Sequence, residues 1–531
     1  MLKLEEMTPE QKLGKVLCFR RFDDQDDIDF TLEMIKKGAC GAVQINFNSR
    51  TEELIRLMRS AADYPLLVVA DMERGVPLTN IPPTSLTTLA AANNPEYVRA
   101  FAAHTASEAK KLGYSGCWGP VIDVMRTDGY GQCSLGRSSG DTPEGVLNIV
   151  EEISRTFASY NFHSTGKHYP GGKDMLLDTH MFGAFSGVTE EQLVNFDLVP
   201  YFELMKKGLL PAVMTGHTTF KKIDPEYPAS MSKKVIDIIR KRGFDGVIYT
   251  DSFAMMAILQ TFGEKKAYST ALMAGNDIIL PNYRTPTREV YEMMLDEYRN
   301  GAITDEALDN AVRRIMKLEE YCSRTPLDPV PAPDNIVELM RLAAKDSVTA
   351  ECDEGVPAAL ENPEKKRLFI AVISQSDNTD AVGAEISMKV TYKANVIRDA
   401  INKNFPNSDV IFTTEFPSPH DNERVLSAAS HYDEVVCVTY CTSDAYMGTD
   451  SLTKRIEAVM NALILSGKVT ALVHFGNPFA LDNLYHVPRV ILMYNAAATI
   501  PYAFEILAGK YEPKGKYPLA RKIKSATPYG N

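Results

Sequence analysis

The feature that most constrains the fold is the regular alternation of short apolar segments with helical segments. Eight apolar segments occupy residues 16–20, 40–46, 66–71, 113–124, 162–168, 211–217, 246–251 and 277–281. Strands that alternate with helices along a chain are typical of α/β folds with a parallel sheet. Eight such units favour a (β/α)8 barrel over an open sheet, although periodicity alone does not establish that the barrel closes.

A second domain is predicted after the proline-rich segment at residues 325–334, which is typical of a stiff linker. A helix is expected at 336–348. Further apolar segments, separated by helical ones, predict a doubly wound, mostly parallel sheet and lie at residues 368–373, 410–414, 434–439, 469–474 and 490–494. The predicted boundaries are a barrel at 1–325, a linker with a packing helix at 326–366 and an αβα sandwich domain at 367–531.

Composition narrows the class of protein. The chain has 531 residues, of which 45% are hydrophobic and 24% charged, as in an ordinary globular protein of two or three domains. A net charge of −12 without a contiguous Lys/Arg patch argues against nucleic acid as a partner. No segment approaches the roughly 20 apolar residues of a membrane span, and the N-terminus lacks the apolar core of a signal peptide.

Cofactor and compartment predictions follow from missing motifs. The eight cysteines form no Cys-x-x-Cys pair, which indicates buried free thiols, a cytoplasmic location and no zinc or other metal site. No Gly-x-Gly-x-x-Gly follows a strand of the second domain, and the chain has no Walker A motif. We therefore expect no nucleotide and no other cofactor. A homodimer is possible, but nothing in the chain demands one.

Polar residues stand at the ends of five of the eight apolar segments. They are Asp71, Asp123, Lys167, His168, His217 and Asp251. A charged group at the end of an apolar strand is costly to bury unless it is paired or meets a ligand. Their repetition over five strands predicts a shared polar pocket at one face of the barrel.

The segment from Lys167 to His180 contains the strongest candidate for acid/base chemistry. It begins with a Lys-His pair, turns through Pro-Gly-Gly and ends in Asp178-Thr-His180. Histidine titrates near neutrality, and a carboxylate two residues away can hold its tautomer, so His180 is a candidate general acid/base on a glycine-hinged loop. The alternative is a surface loop with scattered polar residues.

The strand before Asp251 is the candidate for the nucleophile. The run Gly246–Tyr249 is apolar and stops abruptly at Thr250-Asp251. A carboxylate at the C-terminal end of a buried parallel strand lies where alternating α/β folds keep their chemistry. The alternative is that Asp251 only caps the following helix.

Together these segments resemble glycoside hydrolase family 3, in its β-N-acetylglucosaminidase branch. That branch carries Lys-His-Phe-Pro-Gly-His-Gly, four residues, and then Asp-Ser-His; the residues at the same offsets here are Lys167, His168, Pro170, Gly171, Asp178 and His180. Thr250, Asp251 and Met255 match its nucleophile strand. Segments 66–75, 118–124 and 137–140 are also similar to the family. The departures are Arg74 for a glycine, Gly172 for a histidine and Lys173 for a glycine.

The resemblance implies a closed barrel followed by a sandwich domain, and a role for each matched residue. Asp251 would be the nucleophile of a retaining mechanism, and Asp178 would hold His180 as the acid/base. The implied sugar-binding residues are Asp71, Arg137, Lys167 and His168. His217, Asp123 and Asp277 are expected to be structural. The substrate would be a small soluble glycoside with terminal β-linked GlcNAc, because the single Trp118 leaves few aromatic platforms for a polysaccharide.

Three alternatives remain open at the level of sequence. A neutral histidine repels phosphate less than a carboxylate does, so the acceptor could be phosphate, which would make the protein a phosphorylase. A β-glucosidase or β-xylosidase of the same family would take its acid/base from the second domain, where Asp444 is the candidate. An inactive sugar-binding protein with the same fold is the third.

Overall fold

The structure is a computed structural model that describes residues 3–82, 84–126, 137–172, 180–373, 394–441, 451–494 and 499–527. The chain forms two compact units. The first comprises Met1–Thr79, Val98–Cys133 and Asp141–Asp334. The second comprises Asn80–Tyr97, Ser134–Gly140 and Asn335–Asn531. Each unit has its own sheet and its own helices, and each is described by itself.

The strands lie close to the apolar segments of the sequence. In chain order they are β1 Cys18–Phe19, β2 Ala42–Gln44, β3 Leu67–Asp71, β4 Gly116–Trp118, β5 Thr165–Tyr169, β6 Ala184–Ser186, β7 Ala212–Thr215, β8 Thr218–Phe220, β9 Val247–Ser252, β10 Ile278–Leu280, β11 Thr349–Cys352, β12 Leu368–Ile373, β13 Asp409–Thr414, β14 Val435–Cys441, β15 Val469–Gly476 and β16 Arg489–Met493.

The helices separate these strands along the chain. They are α1 Pro9–Lys15, α2 Gln25–Lys36, α3 Thr51–Ala61, α4 Leu86–Ala92, α5 Pro95–Leu112, α6 Pro143–Ser159, α7 Glu190–Gln192, α8 Val199–Lys206, α9 Lys233–Arg240, α10 Met256–Phe262, α11 Glu264–Ala274, α12 Thr287–Arg299, α13 Asp305–Ser323, α14 Ile336–Asp346, α15 Ala394–Asn404, α16 Pro419–Ser430, α17 Lys454–Leu465 and α18 Ile500–Leu507.

The first unit is a closed barrel of eight parallel strands, as predicted. Four pair in the order β1-β2-β3-β4, and four in the order β5-β7-β9-β10. One seam closes between β4 and β5, where the Cys117 N–H donates to the His163 carbonyl over 3.0 Å. The other closes beside β1 and β10, where Leu17 bridges Ile279. Closure leaves no unpaired edge on the barrel.

Local signals account for where the outer helices begin and which face they bury. The Ser232 hydroxyl accepts a hydrogen bond from the Val235 N–H and so caps α9. Along α9, Val235 and Ile239 are buried against the strands, whereas Lys233 points to solvent and pairs with Asp237 one turn on. The same arrangement starts α6, where Thr142 caps a helix whose first residue is a proline.

Two short strands, β6 after β5 and β8 after β7, form a small separate sheet. Strands β6 and β8 pair in parallel through Ala184–Thr218 and Ser186–Phe220. Between β6 and β8 on the chain, α7 continues into a π-helical turn at Leu193–Asp197, where the Leu198 N–H donates to the Leu193 carbonyl over 2.8 Å. Single π-helical turns are rare in proteins, but those that occur are often located at functional sites. This turn ends at Asp197, whose side chain is buried.

The second unit is an αβα sandwich, which confirms the predicted fold class. Its sheet has the order β11-β16-β15-β14-β12-β13, and all pairings are parallel except that of β11 with β16. Helix α15 packs against α18 and α16 against α17, which gives two helical layers. Strand β11 lies in the segment predicted as linker. It is too short and too polar to be recognised by periodicity.

No helix among the described residues is long and apolar enough to cross a membrane. The described cysteines are free thiols, and all but Cys352 are buried.

Candidate active site

The C-terminal ends of the barrel strands bring most of the predicted site residues to one face. Asp71 is the last residue of β3, Lys167 and His168 lie in β5, and Asp251 lies near the end of β9. Parallel strands of a closed barrel all end at the same face, so residues that are distant in sequence meet there. Lys167 contacts Asp71 there, and His168 faces Asp251.

Lys167 is held by two carboxylates. Its Nζ lies 2.6 Å from Asp71 Oδ1 and 2.7 Å from Glu73 Oε1. The Lys167 side chain is buried, whereas the Asp71 side chain is 56% exposed and so keeps surface available to a ligand. Glu73 was not predicted as a site residue, although it follows Asp71 in the same strand-end turn.

His168 is oriented by Asp123. The Asp123 carboxylate accepts the His168 main-chain N–H over 2.8 Å and its ring Nδ1–H over 3.0 Å. Since a carboxylate can only accept, the proton of a neutral His168 ring stands on Nδ1. Nε2 lies on the other side of the ring, 4.0 Å from Asp251 Oδ2.

Strand β5 has a β-bulge at Lys167 and His168. Pairing with β7 passes from Lys167–Met214 directly to Tyr169–Thr215, so His168 is an additional residue in the strand. Such a bulge redirects side chains that a regular strand would send to opposite faces. The peptide bond between Lys167 and His168 is cis.

Asp251 is held in its ionised form. Its carboxylate accepts the Ser252 N–H over 2.7 Å. Burial by itself would raise the pKa of Asp251, but the charges of His168 and His217, the Ser252 N–H and the charge of His180 together hold that pKa well below its usual range. An ionised carboxylate at this position is suited to attack an electrophilic carbon.

His217 supports the chain segment that carries Asp251. Its ring Nε2 donates to the Ser252 carbonyl over 3.0 Å, because a carbonyl oxygen can only accept. Its Nδ1 pairs with the Ser230 hydroxyl, 2.8 Å away. The ring is buried and both nitrogens have partners within the protein. This arrangement is typical of a residue that holds a site residue in place rather than one that binds a ligand.

Arg20 is a site residue that the sequence analysis missed. It follows β1, and its Nη1 donates to Ser252 Oγ over 2.7 Å and to the Pro281 carbonyl over 3.1 Å. Burial lowers the pKa of Arg20, and the nearby carboxylates of Asp71 and Asp251 oppose that shift. The signal was present, since Arg20 ends an apolar segment as the other site residues do.

Asp277, predicted to be structural, lies just before β10 at the opposite end of the barrel strands. It is buried, and its Oδ2 accepts both from Arg240 Nη2 over 2.6 Å and from the Ile248 N–H over 2.7 Å. Asp277 thus joins α9 to the starts of β9 and β10.

The predicted acid/base loop, residues 172–186, is described at its two ends. Asp178 lies outside the described residues, as does the rival candidate Asp444. His180 is described, and its carbonyl accepts the Met256 N–H over 3.2 Å, which ties it to the start of α10. Because α10 follows β9 closely, this contact places His180 within electrostatic range of Asp251. Arg137 belongs to the second unit, so its part in a barrel site stays a prediction.

The family model described as the glycosyl hydrolase family 3 N-terminal domain matches residues 10–318. A β-hexosaminidase of Actinobacillus pleuropneumoniae serotype 3 is 31% identical over 254 residues, which are 44% of this chain and 71% of the relative.

Among solved structures, a family 3 β-N-acetylglucosaminidase of Paenibacillus sp. FPU-7 is similar with a TM-score of 0.79 at 23% identity, covering 98% of this chain and 100% of that one. A β-glucoside phosphorylase is similar with the same TM-score of 0.79 at 21% identity, covering 97% of this chain and 95% of that one. These two likenesses concern the fold. The family match spans more than half of the chain and contains the strand ends described above. The protein is therefore a member of glycoside hydrolase family 3, as its sequence motifs indicate.

Proposed function

We propose that this protein is a retaining exo-β-N-acetylglucosaminidase that releases terminal β-linked GlcNAc from small soluble glycosides, such as cell-wall turnover fragments or chito-oligosaccharides. The observation that carries the proposal is Asp251, an ionised carboxylate at the C-terminal end of β9 with His168 and His180 around it. The 31% identity to a β-hexosaminidase over 254 residues supports the choice of sugar.

In the first half of the reaction, an Asp251 oxygen attacks the anomeric carbon and forms a glycosyl ester. The bond to the aglycone breaks with its electron pair, and the leaving oxygen takes a proton from the His180 imidazolium. In the second half, neutral His180 takes a proton from water while that water attacks the anomeric carbon and releases Asp251. Two inversions at one carbon give net retention.

The remaining residues bind the sugar in this proposal. Asp71 accepts hydrogen bonds from ring hydroxyls, Lys167 and Arg137 donate to the sugar, and His168 Nε2, which carries no proton in the neutral ring, accepts from a sugar hydroxyl. The ion pairs of Lys167 with Asp71 and Glu73 hold donor and acceptor side by side, which suits neighbouring hydroxyls on a pyranose ring. Asp178 keeps the His180 ring in the orientation that proton transfer needs.

The test compares para-nitrophenyl β-GlcNAc with para-nitrophenyl β-glucoside as substrates of the wild type, Asp251→Ala and His180→Ala. We expect a clear preference for the GlcNAc glycoside. Asp251→Ala should lose turnover, and His180→Ala should slow cleavage by about 10²–10⁴-fold, the usual contribution of a general acid. Proton NMR of the first product should show the β-anomer. Full activity in Asp251→Ala, or an α-anomeric first product, would refute the mechanism.

Phosphorolysis is the second candidate. The observation that favours it is the histidine at position 180, because a neutral imidazole repels an incoming phosphate less than a carboxylate does. Cleavage in phosphate buffer, followed by ³¹P NMR, separates the two reactions: free GlcNAc indicates hydrolysis, whereas GlcNAc 1-phosphate indicates phosphorolysis. If His180→Ala retains full activity, Asp444 becomes the acid/base to test. If no β-glycoside is cleaved, binding of GlcNAc without turnover is the remaining alternative.

A further inference from the structure

The base of the acid/base loop rests on a buried ion pair outside the catalytic residues. Arg126 donates to Asp197 through Nε over 3.1 Å to Oδ1 and through Nη2 over 2.5 Å to Oδ2. The Asp197 side chain is fully buried and that of Arg126 is 11% exposed. Burial raises the pKa of Asp197, and Arg126 together with the Gly172 N–H opposes that rise. A carboxylate buried this deeply needs all of its partners.

The Asp197 side chain contacts the main chain of the loop. The Gly172 N–H donates to Asp197 Oδ1 over 2.9 Å, and Gly172 is the last described residue before the segment that leads to His180. The Gly172 carbonyl accepts from Ser186 Oγ over 2.9 Å, on the far side of His180. Both ends of the loop are therefore joined at one residue, and that residue is held by Asp197.

The packing at this point leaves little space. Gly171 and Gly172 both have positive φ, of 75° and 64°. A Cβ on Gly172 would lie 2.5 Å from Leu193 Cδ2 and 2.9 Å from Phe220 Cε1, and a Cβ on Gly171 would lie 3.2 Å from Asp197 Cβ. The glycines thus let the main chain approach the π-helical turn closely enough for Asp197 to accept the Gly172 N–H.

We propose that Asp197, held by Arg126, is a positioning residue for the proton transfer of the acid/base loop. It fixes the main chain at Gly172 and, through Ser186, at the other end of the loop, and so sets where His180 stands relative to the leaving oxygen. Asp197 touches neither the sugar nor the reacting atoms. This inference rests on the acid/base role proposed for His180.

A positioning role and a merely structural one differ in their dependence on the leaving group. A good leaving group such as 2,4-dinitrophenolate departs without a proton, whereas the hydroxyl oxygen of a leaving sugar needs one. If Asp197 positions the acid, Asp197→Ala should lower kcat/KM for chitobiose by about 10-fold or more, a part of the ~10²–10⁴-fold that general acid catalysis supplies. The value for 2,4-dinitrophenyl β-GlcNAc should stay within about threefold of the wild type.

Asp277→Ala is the matched control, because it makes the same substitution at another buried carboxylate. Like Asp197, Asp277 is buried, pairs with an arginine and accepts a main-chain N–H. It lies just before β10, away from the acid/base loop. Its substitution should lower thermal stability while leaving the ratio of the two kcat/KM values unchanged.

Ser186→Ala is a milder second variant in case Asp197→Ala does not fold. It removes only the donor to the Gly172 carbonyl and should shift the same ratio in the same direction, by less. The inference is overturned if the folded variants lose activity equally on both substrates, so that the ratio of the two kcat/KM values is unchanged, as in the control. The proposed function fails separately, if His180→Ala itself shows no dependence on the leaving group.

Discussion

The interaction of Asp123 with His168 allows a quantitative prediction for Asp123→Asn. The wild-type carboxylate accepts two donors from one residue, the main-chain N–H and the ring Nδ1–H of His168. An asparagine amide has one accepting oxygen and one donating nitrogen. If its oxygen keeps the main-chain bond, its NH₂ faces Nδ1, so the ring proton must move to Nε2, the nitrogen 4.0 Å from Asp251.

The magnitude follows from the bond that is lost. A hydrogen bond to a charged group contributes about 1.5–3 kcal/mol, which corresponds to about 10- to 150-fold in kcat/KM. Solvent does not reduce this value much, since the Asp123 side chain is 1% exposed. We expect a loss in that range, and the wrong tautomer would place it towards the upper end.

The assay is steady-state hydrolysis of para-nitrophenyl and 2,4-dinitrophenyl β-GlcNAc by the wild type and Asp123→Asn, with melting temperatures measured in parallel. His168 acts on the sugar and beside the nucleophile, so both substrates should lose activity to the same extent. That outcome differs from the one expected for Asp197→Ala, which should spare the activated substrate.

Two results would refute the reasoning. The first is a kcat/KM within about threefold of the wild type in a variant that melts normally, because the pair would then be structural only. The second is a loss confined to the poorer leaving group, because Asp123 would then act on proton donation.

Further predictions concern Lys167, His217 and the buried pair of Lys15 and Glu319. Lys167→Met removes ion pairs of 2.6 and 2.7 Å and should raise KM, with kcat/KM falling by about 10-fold or more; an unchanged KM would argue against sugar binding. His217→Ala removes one of the charges that lower the pKa of Asp251, so the acid limb of its kcat/KM–pH profile should move to higher pH than in the wild type. Burial raises the pKa of Glu319 from 4.5 to about 7, although Lys15 opposes the rise. In the pH window between these two values the folded state holds a proton that the unfolded state has lost. Stability is therefore highest below that window and falls as the pH rises through it, and calorimetry should show Lys15→Met/Glu319→Gln gaining in melting temperature on the wild type between about pH 5 and pH 7.5.

The sequence was informative wherever a structural element is defined by neighbouring residues. The strand ending at Asp251 follows from an apolar run that stops at a carboxylate, and the helix after Ser232 from a cap and one apolar face. Closure of the barrel was different, because Leu17 and Ile279 meet only after all eight strands have formed. Periodicity reports local burial, so closure had to be inferred from the family resemblance.

The candidate site divides in the same way. Its predicted members Asp71, Lys167, His168 and Asp251 are recognisable because each stands at the end of an apolar run. The contacts among them could not be predicted: Arg20 reaches Ser252 across 232 positions of sequence, and a bulge at His168 decides which way two adjacent side chains point.

The sequence by itself determined the alternation of strands and helices, the family and the residue types at the strand ends. Only the tertiary structure decided which carboxylate pairs with which base, and it brought Asp197 beneath Gly172. The physical reason is that apolar periodicity is a property of neighbouring residues, whereas a buried charge takes its partners from whatever the closed barrel places beside it.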